Sequence, residues 1–550
     1  MERPFLKSER DRVTILTGGL SPRHDRFLRA AFEAMGCKTK LVPTPDKAAF
    51  QAGKEYGNNG QCSPTYFTVG ALVNELKRLR DEERIATERI LEDYVFVTMG
   101  ACGPCRFGMY EAEYRLALRN SGFDGFRVVL FQIKGGLNQV PDGEEPGLPF
   151  NLDFFILFVN MIILGDLLND VANQIRPYEV VPGQTDRVFE KIEQKLENQL
   201  RTTDLGQVRP GKLAHVLSKV TPVKSAQDAA KFMEQLFGER FVATARECAN
   251  IIDEEIEVDF SRPKPVVKIV GEFWATLTEG DGNYRMHRFL TEHGAEPLSD
   301  GITTWVHFLL SQTRLFARDQ LGMHAVGLKG IQRLKTRAKG ELAYRKKDFA
   351  LSLATKIVNR EYERLRTALG GIAHEQVDQM ELQRIGSPYY NSRGQGGESY
   401  MEVAKNIYYS ANGHAHMVLS LKPFGCLPST QSDGAQAAVI SQYPDMIYLP
   451  IETSGEGDVN AHSRVQMALG EAKEKCRREF RACVAKTGFT IEEIRAFVAD
   501  RPELRRALQS IPHEKGVTGR AAHFVLHVGR LMAREGQVDA PVGHEAKVGA

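Results

Sequence analysis

Four of the eight cysteines stand in short Gly/Pro-rich segments: Gly60-Gln61-Cys62-Ser63-Pro64, Ala101-Cys102-Gly103-Pro104-Cys105-Arg106 and Pro423-Phe424-Gly425-Cys426-Leu427-Pro428. Glycine permits tight backbone approach and proline stiffens a turn, so each segment reads as a loop leading into a helix. Four thiolates converging from such loops can hold one redox cluster. Helix N-terminal amides favour a ligating thiolate and a net-negative iron–sulfur cluster. Cys102 and Cys105 taken alone also fit a dithiol redox pair or half of a zinc site. No second Cys-x-x-Cys completes a zinc pattern, and a dithiol leaves Cys62 and Cys426 without a role. Cluster, dithiol, zinc and unmodified thiols all stay open on the residues alone.

Polar candidates accompany the thiols. Arg106 adjoins Cys105 and is placed near the cluster or an anionic ligand. Glu452, Glu456 and Asp458 follow an expected strand at Met446–Leu449. There Glu452 and Glu456 are candidate acid/base or substrate-binding groups, with helix N-terminal acids ahead of Ala461 as the alternative. Gly394-Gln395-Gly396-Gly397 is not preceded by a strand, so it reads as a loop, with Glu398 as a candidate cleft residue. His414 and His416 have alternate spacing and share a side, with structural roles preferred over metal ligation. His24, beside Gly18-Gly19, admits either role.

The elements that must position these residues read as α/β. Val13–Leu16, Lys38–Val42, Tyr94–Met99 and Arg127–Phe131 are apolar strand-like runs. They alternate with helical stretches Ser21–Met35, Thr65–Arg80 and Gly108–Asn120, which implies a parallel sheet. After a helical connection the pattern restarts with strands Pro265–Gly271, Met417–Leu421 and Met446–Leu449. Helices are expected at Asn283–His293, Asp433–Ser441 and Ala461–Cys483. The expected organisation is two Rossmann-like parallel-sheet lobes. Residues 1–205 form the first lobe, with Cys62, Cys102 and Cys105, and 206–262 the helical connection. Residues 263–489 form the second lobe, with Cys426 and a helical insertion over about 310–385. Residues 490–550 form a helical C-terminal region and a loose tail. In open α/β sheets ligands collect beyond the carboxyl ends of the strands, where the Cys102/Cys105 and Cys426 loops are expected.

Composition narrows the function classes. The 550 residues carry 72 basic and 70 acidic side chains, and this overall balance singles out neither nucleic acid nor a membrane as partner. The opening residues Met1 to Arg12 are polar and carry no export signal. Phe154–Leu164 is too short to span a bilayer and reads as a buried helix. A cytoplasmic location follows as the expectation, in which sparse cysteines favour metal or redox roles over disulfides. Cys37, Cys248, Cys476 and Cys483 read as unmodified thiols. The insertion is the exception to charge balance: residues 314–366 hold fourteen Lys/Arg against five Asp/Glu, a net of +9. It reads as a solvated face or as a patch for an anionic partner, such as a nucleotide-bearing substrate or an acidic protein. Aromatics are not interleaved as nucleic-acid binding needs.

Gly103-Pro104-Cys105-Arg106-Phe107-Gly108-Met109-Tyr110 resembles the Gly-Pro-Cys-Arg-Phe-Gly-Gln-Tyr segment of acyl-CoA dehydratase activase-related proteins, within the wider 2-hydroxyacyl-CoA dehydratase and double-cubane-cluster family. Pro423–Pro428 is similar to that family's second cysteine loop, and Pro450-Ile451-Glu452-Thr453-Ser454-Gly455-Glu456 to the stretch that follows it. The resemblance runs from residue 12 to 480. It implies an iron–sulfur cluster between the lobes, a 4Fe–4S cluster first, with Cys62, Cys102, Cys105 and Cys426 in the ligand positions. It also implies low-potential electrons from an ATP-dependent activase on a separate chain. Those electrons would pass to an acyl-CoA or other small-molecule substrate, in a dehydratase or reductase component. No Gly-x-x-x-x-Gly-Lys-Ser/Thr loop is present, and the activase's Asp-x-Gly-Ser/Thr opening is absent too. Catalytic subunits of the family usually offer three cysteines and leave one iron open. Four imply a closed electron-transfer cluster, or three ligands and a spare. The loops hold too few cysteines for a double cubane. Two other readings stand beside this one: a non-catalytic electron-transfer or regulatory subunit docking the activase through 310–385, and a dithiol oxidoreductase using Cys102/Cys105. An oligomer is compatible with all three.

Overall fold

The structure is a computed structural model that describes residues 2–100, 105–132, 143–220, 225–394, 397–398 and 400–538. Two four-stranded sheets organise it, and every pairing in both is parallel. The first contains β1 (Thr14–Thr17), β2 (Lys38–Leu41), β3 (Tyr94–Gly100) and β4 (Val128–Gln132), in the order β2-β1-β3-β4. The second contains β5 (Val266–Gly271), β6 (Glu296–Leu298), β7 (Met417–Pro423) and β8 (Tyr448–Thr453), in the order β6-β5-β7-β8. The two orders are the same topology written twice, although the sequence shows no repeat. In each sheet the strand order reverses beside the first strand, which places a topological switch point between β1 and β3 and another between β5 and β7. The expected pair of Rossmann-like lobes is therefore present.

Several boundaries depart from the sequence expectation. β8 begins two residues later than expected and runs through Pro450 to Thr453, so Glu452 lies within the strand rather than after it. β8 pairs only with β7, so as an edge strand it tolerates a proline that cannot donate to the ladder. The helix after Cys426 spans Leu427–Gln442 and starts six residues before the expected Asp433. Helices at Lys47–Tyr56 and Tyr400–Ala411, and strand β6, were not expected at all. The insertion is broader than 310–385 and consists of helices Ile302–Asp319, Gly330–Ala368 and Gln379–Gly386. Residues 539–550, the expected tail, lie outside the described residues.

Between the sheets the helices share one core. The Leu152–Ile175 helix is apolar on most of its circumference and buries seventeen of its residues. It is the single described helix long and apolar enough to cross a membrane, and 72% of its most apolar window is buried within the protein. Around it pack Phe27 and Ala31 of the first lobe, Phe189 and Ile192, Phe241 and Ile252 of the connection, Leu277 and Ile302 of the second lobe, and Phe524 and Val528 near the C-terminus. Each fully buried Leu, Ile or Phe contributes about 1.5–3 kcal/mol, so this core joins the two lobes. Polar contacts across the same boundary include a helix cap. Asp166 accepts from the amides of Ile302 (2.8 Å) and Thr303 (2.7 Å) and from the Thr303 hydroxyl (2.6 Å). A carboxylate of the first lobe thus caps a helix of the second.

Candidate functional site

Each described cysteine of the candidate set stands at the N-cap of a helical segment. Cys62 precedes the Ser63–Asp81 helix, Cys105 precedes the short turn Arg106–Met109, and Cys426 precedes the Leu427–Gln442 helix. Cys105 follows β3 and Cys426 follows β7, so both lie at the switch points of their sheets. Cys102, Gly103 and Pro104 lie outside the described residues. Among the described residues no three His, Cys, Asp or Glu side chains stand together in a geometry that holds a metal ion.

The Cys62 loop is held by an ordered polar net. Gly60 takes φ +77, the left-handed turn that glycine favours. The Gln61 amide donates to the Tyr66 hydroxyl (3.0 Å), which donates to the Asn58 carbonyl (3.1 Å). Glu113 accepts from Asn58 and from the Gln61 side chain, and the Arg106 guanidinium donates to the Gly60 carbonyl. Arg106 thus ties the Cys105 turn to the Cys62 loop. The Cys62 Sγ lies 3.2 Å from the Thr65 hydroxyl and 3.4 Å from the Tyr110 hydroxyl.

Cys62 and Cys426 are brought together backbone to backbone. The Ser63 amide donates to the Phe424 carbonyl (3.1 Å), the Ser63 hydroxyl donates to the Thr453 carbonyl, and the Phe424 amide donates to that same carbonyl (3.0 Å). Gly425 has φ +75, and a Cβ there would sit 3.2 Å from the Gln61 carbonyl oxygen and 3.5 Å from the Cys62 Cα. Burial pushes the Cys105 thiol up to about 12, aided by the negative charges of Glu272, Glu398 and Cys62. It pushes the Cys426 thiol up to about 12 as well, with Glu272 and Cys62 adding to the shift and Ser429 hydrogen bonds opposing it. Cys62 and Glu272 thus act on both the Cys105 and the Cys426 thiol.

Two carboxylates, Glu272 and Glu398, act on the Cys105 thiol. Glu272 ends β5: its amide donates to the Leu421 carbonyl (3.0 Å) and its carboxylate accepts from the Ala275 amide (2.9 Å). Sequence reading passed over it, although its position directly after the buried Val266–Gly271 run marks the switch point. Glu398 is 8% exposed. It lines a cavity with Gly271, Asp300, Trp305, Met401 and Lys405. Burial raises both acids, and the charge of Glu272 raises Glu398 well above the ordinary carboxylate range. Glu398 stands two residues before the Tyr400–Ala411 helix, in the β6–β7 crossover. Cys62 leads the Ser63–Asp81 helix in the matching β2–β3 crossover. Behind Glu398, Asp300 pairs with Lys268 (2.7 Å) and Lys405 (2.8 Å). Burial alone would raise Asp300, but the two ammonium groups outweigh it and hold it well below its ordinary value.

The other candidates are placed elsewhere. Glu452 is exposed within β8. Glu456 is exposed and spans the lobes, 3.8 Å from Lys54 and 3.4 Å from the Gln51 amide nitrogen. Asp458 opens the Asp458–Thr487 helix and pairs with Lys47 at 3.2 Å. His24 is buried between the Ser21 hydroxyl (2.6 Å) and Asp166 (3.2 Å). His416 Nδ1 accepts from the Val266 amide, and His414 stacks on Tyr408. Cys37, Cys248, Cys476 and Cys483 are buried. Compared with known proteins, the chain matches no family model, no curated protein and no solved structure.

Proposed function

We propose that this chain is an iron–sulfur protein that accepts low-potential electrons from an ATP-dependent activase on a separate chain. It passes them to an acyl-CoA or other small molecule, in the manner of a 2-hydroxyacyl-CoA dehydratase or reductase component. The observation that carries the reading is that Cys62, Cys105 and Cys426, from two lobes, each stand at a helical N-cap, with Cys105 and Cys426 at the sheet switch points and the Cys62 and Cys426 loops joined backbone to backbone. The donor set fits a cluster. The thiols are soft ligands, the first-turn amides favour negative charge, and Tyr110, Thr65 and Ser429 offer hydrogen bonds to sulfur of the kind that tunes a cluster's potential. Cys62, Cys105 and Cys426, with Cys102, would hold the cluster, which supplies one-electron chemistry when bound.

The protein's own groups then have distinct tasks. The Ser63–Thr453 and Ser63–Phe424 bonds hold the cysteine loops of the two lobes at fixed separation. Glu398 lines the cavity beside Glu272, and burial raises the proton affinity of both carboxyls, which suits them to a hydrogen-bonding or proton-donating role toward an incoming oxygen.

Anaerobic purification and reconstitution with iron and sulfide test the reading. Cluster absorbance with about four irons per chain is the expected result, with loss of most iron in Cys62→Ser and Cys426→Ser. Wild-type protein that stays colourless after reconstitution removes the proposal. Unchanged iron in Cys105→Ser assigns the ligand role to Cys102 instead.

A further inference from the structure

The Gly330–Ala368 helix carries two apolar faces, and only one is covered. Tyr344, Leu351 and the Asp348–Arg314 pair (2.9 Å) lie toward the Ile302–Asp319 helix, against which it packs. On the opposite side Ile331, Leu334, Leu342, Phe349 and Leu353 are between 46% and 71% exposed. At about 100° per residue these five fall within an arc of about 100°, a straight stripe about 33 Å long. Residues 329–350 include none that is buried. A helix in water does not keep such a stripe bare without a second surface to meet it.

Charge and spacing indicate what that surface is. Residues 329–347 hold eight Lys/Arg and a single acid, Glu341, which is already paired with Arg345 at 2.9 Å. Lys335, Lys339 and Lys346 flank one edge of the stripe, where their stems can lie along apolar surface while the ammonium groups reach outward. A second copy of this helix would bring like charges together. The apolar side chains also lack the compact i, i+3, i+4, i+7 anchor set by which a helix fills a protein groove, because Ala338 and Arg345 interrupt them. An extended stripe of separated apolar side chains bordered by lysines matches a flat, uniformly negative, apolar-backed plane. We propose that the Gly330–Ala368 helix is an interfacial element that seats the protein on an anionic lipid surface. Near-neutral overall charge conceals this, since the excess is confined to one arm. The inference is independent of the cysteine site.

Co-sedimentation of the full chain with vesicles tests it, using phosphatidylcholine alone and phosphatidylcholine mixed equally with phosphatidylglycerol. Wild-type protein is expected to pellet with the mixed vesicles at low salt, to be released as salt rises, and to stay in solution with phosphatidylcholine. The Lys335→Glu/Lys339→Glu/Lys346→Glu variant should lower partitioning by on the order of 100-fold. Leu342→Glu/Phe349→Glu should lower it by roughly 10-fold or more, with far-UV circular dichroism and thermal midpoint unchanged in both. Wild-type protein that ignores both vesicles, or binds both equally, overturns the proposal. So does a wild-type dimer that Leu342→Glu/Phe349→Glu converts to monomer, because a second copy would then cover the stripe.

Discussion

Glu398 is the residue whose behaviour most directly probes the cleft. Its carboxyl and that of Glu272 bind a proton more tightly in the folded chain than in the unfolded one, both through burial and Glu398 also through the charge of Glu272. Above the unfolded value of about 4.3 the folded chain therefore holds more protons, and unfolding free energy falls as pH rises through that window. Replacing Glu398 by Gln removes the cost of ionising a buried acid beside Glu272. The cofactor-free variant should be more stable than wild type by about 1–3 kcal/mol at neutral or higher pH, with the difference vanishing near pH 4. Thermal midpoints across pH measure this, and a pH-independent difference would count against it. The cysteines were legible because Gly and Pro mark their loops. Glu272 was not, because its role comes from Gly271 (φ +121), where a Cβ would sit 2.1 Å from the Leu421 carbonyl oxygen. Local sequence does not show that β5 and β7 lie side by side.

At the scale of elements, the Ser63–Asp81 helix determines where Cys62 stands, and a glycine contact determines where that helix stands. A Cβ on Gly70 would lie 1.7 Å from the Ala49 carbonyl oxygen, and one on Gly53 would lie 2.0 Å from the Tyr66 carbonyl oxygen. The Lys47–Tyr56 and Ser63–Asp81 helices therefore meet with their backbones almost touching. Gly70→Ala must push them apart, at a cost of about 1–3 kcal/mol or more, and should displace Cys62, lowering iron retention where the proposed cluster is bound. Gly434, inside the Leu427–Gln442 helix, has nothing within 4 Å of its Cβ position. Gly434→Ala should instead stabilise by roughly 0.5–1 kcal/mol through helix propensity alone. Chemical denaturation of the pair checks both signs, and stabilisation by Gly70→Ala would contradict the packing. The Lys47–Tyr56 helix escaped sequence reading because its sequence, Lys-Ala-Ala-Phe-Gln-Ala-Gly-Lys-Glu-Tyr, has few large apolar residues and an internal glycine. That glycine serves the contact. The helix after Cys426 was read short because Pro428 resembles a breaker, whereas proline in the first turn is well tolerated. Longer strands with dense Val, Ile and Leu were legible, since buried parallel strands read as continuous apolar runs.

At the scale of the molecule, the shared core argues against two lobes that unfold separately. The Leu152–Ile175 helix contributes to a core that reaches Leu277 and Ile302 of the second lobe, Tyr362 and Leu365 of the long helix, and Val525 and Val528 near the C-terminus. Asp166 adds a charged helix cap across the same boundary, with Gly301 leaving no room for a side chain: a Cβ there would lie 2.2 Å from the carboxylate carbon. A first lobe alone would expose this apolar surface, and the Ile302–Asp319 helix would lose its N-terminal cap. Unfolding of the whole chain should therefore be one cooperative transition. The sequence itself supplies the means of checking: its only two tryptophans, Trp274 and Trp305, both belong to the second lobe. Tryptophan fluorescence reports that lobe, while far-UV circular dichroism reports helices throughout. The two denaturation curves should coincide in midpoint and slope. Asp166→Ala, which removes the shared cap at a cost of about 2 kcal/mol, should shift both together. Curves separated in the wild type would mean that the lobes are independent. The cleft between Cys62 and Cys426 would then be a hinge, whereas a common core makes it a fixed site whose ligand spacing is set by the fold.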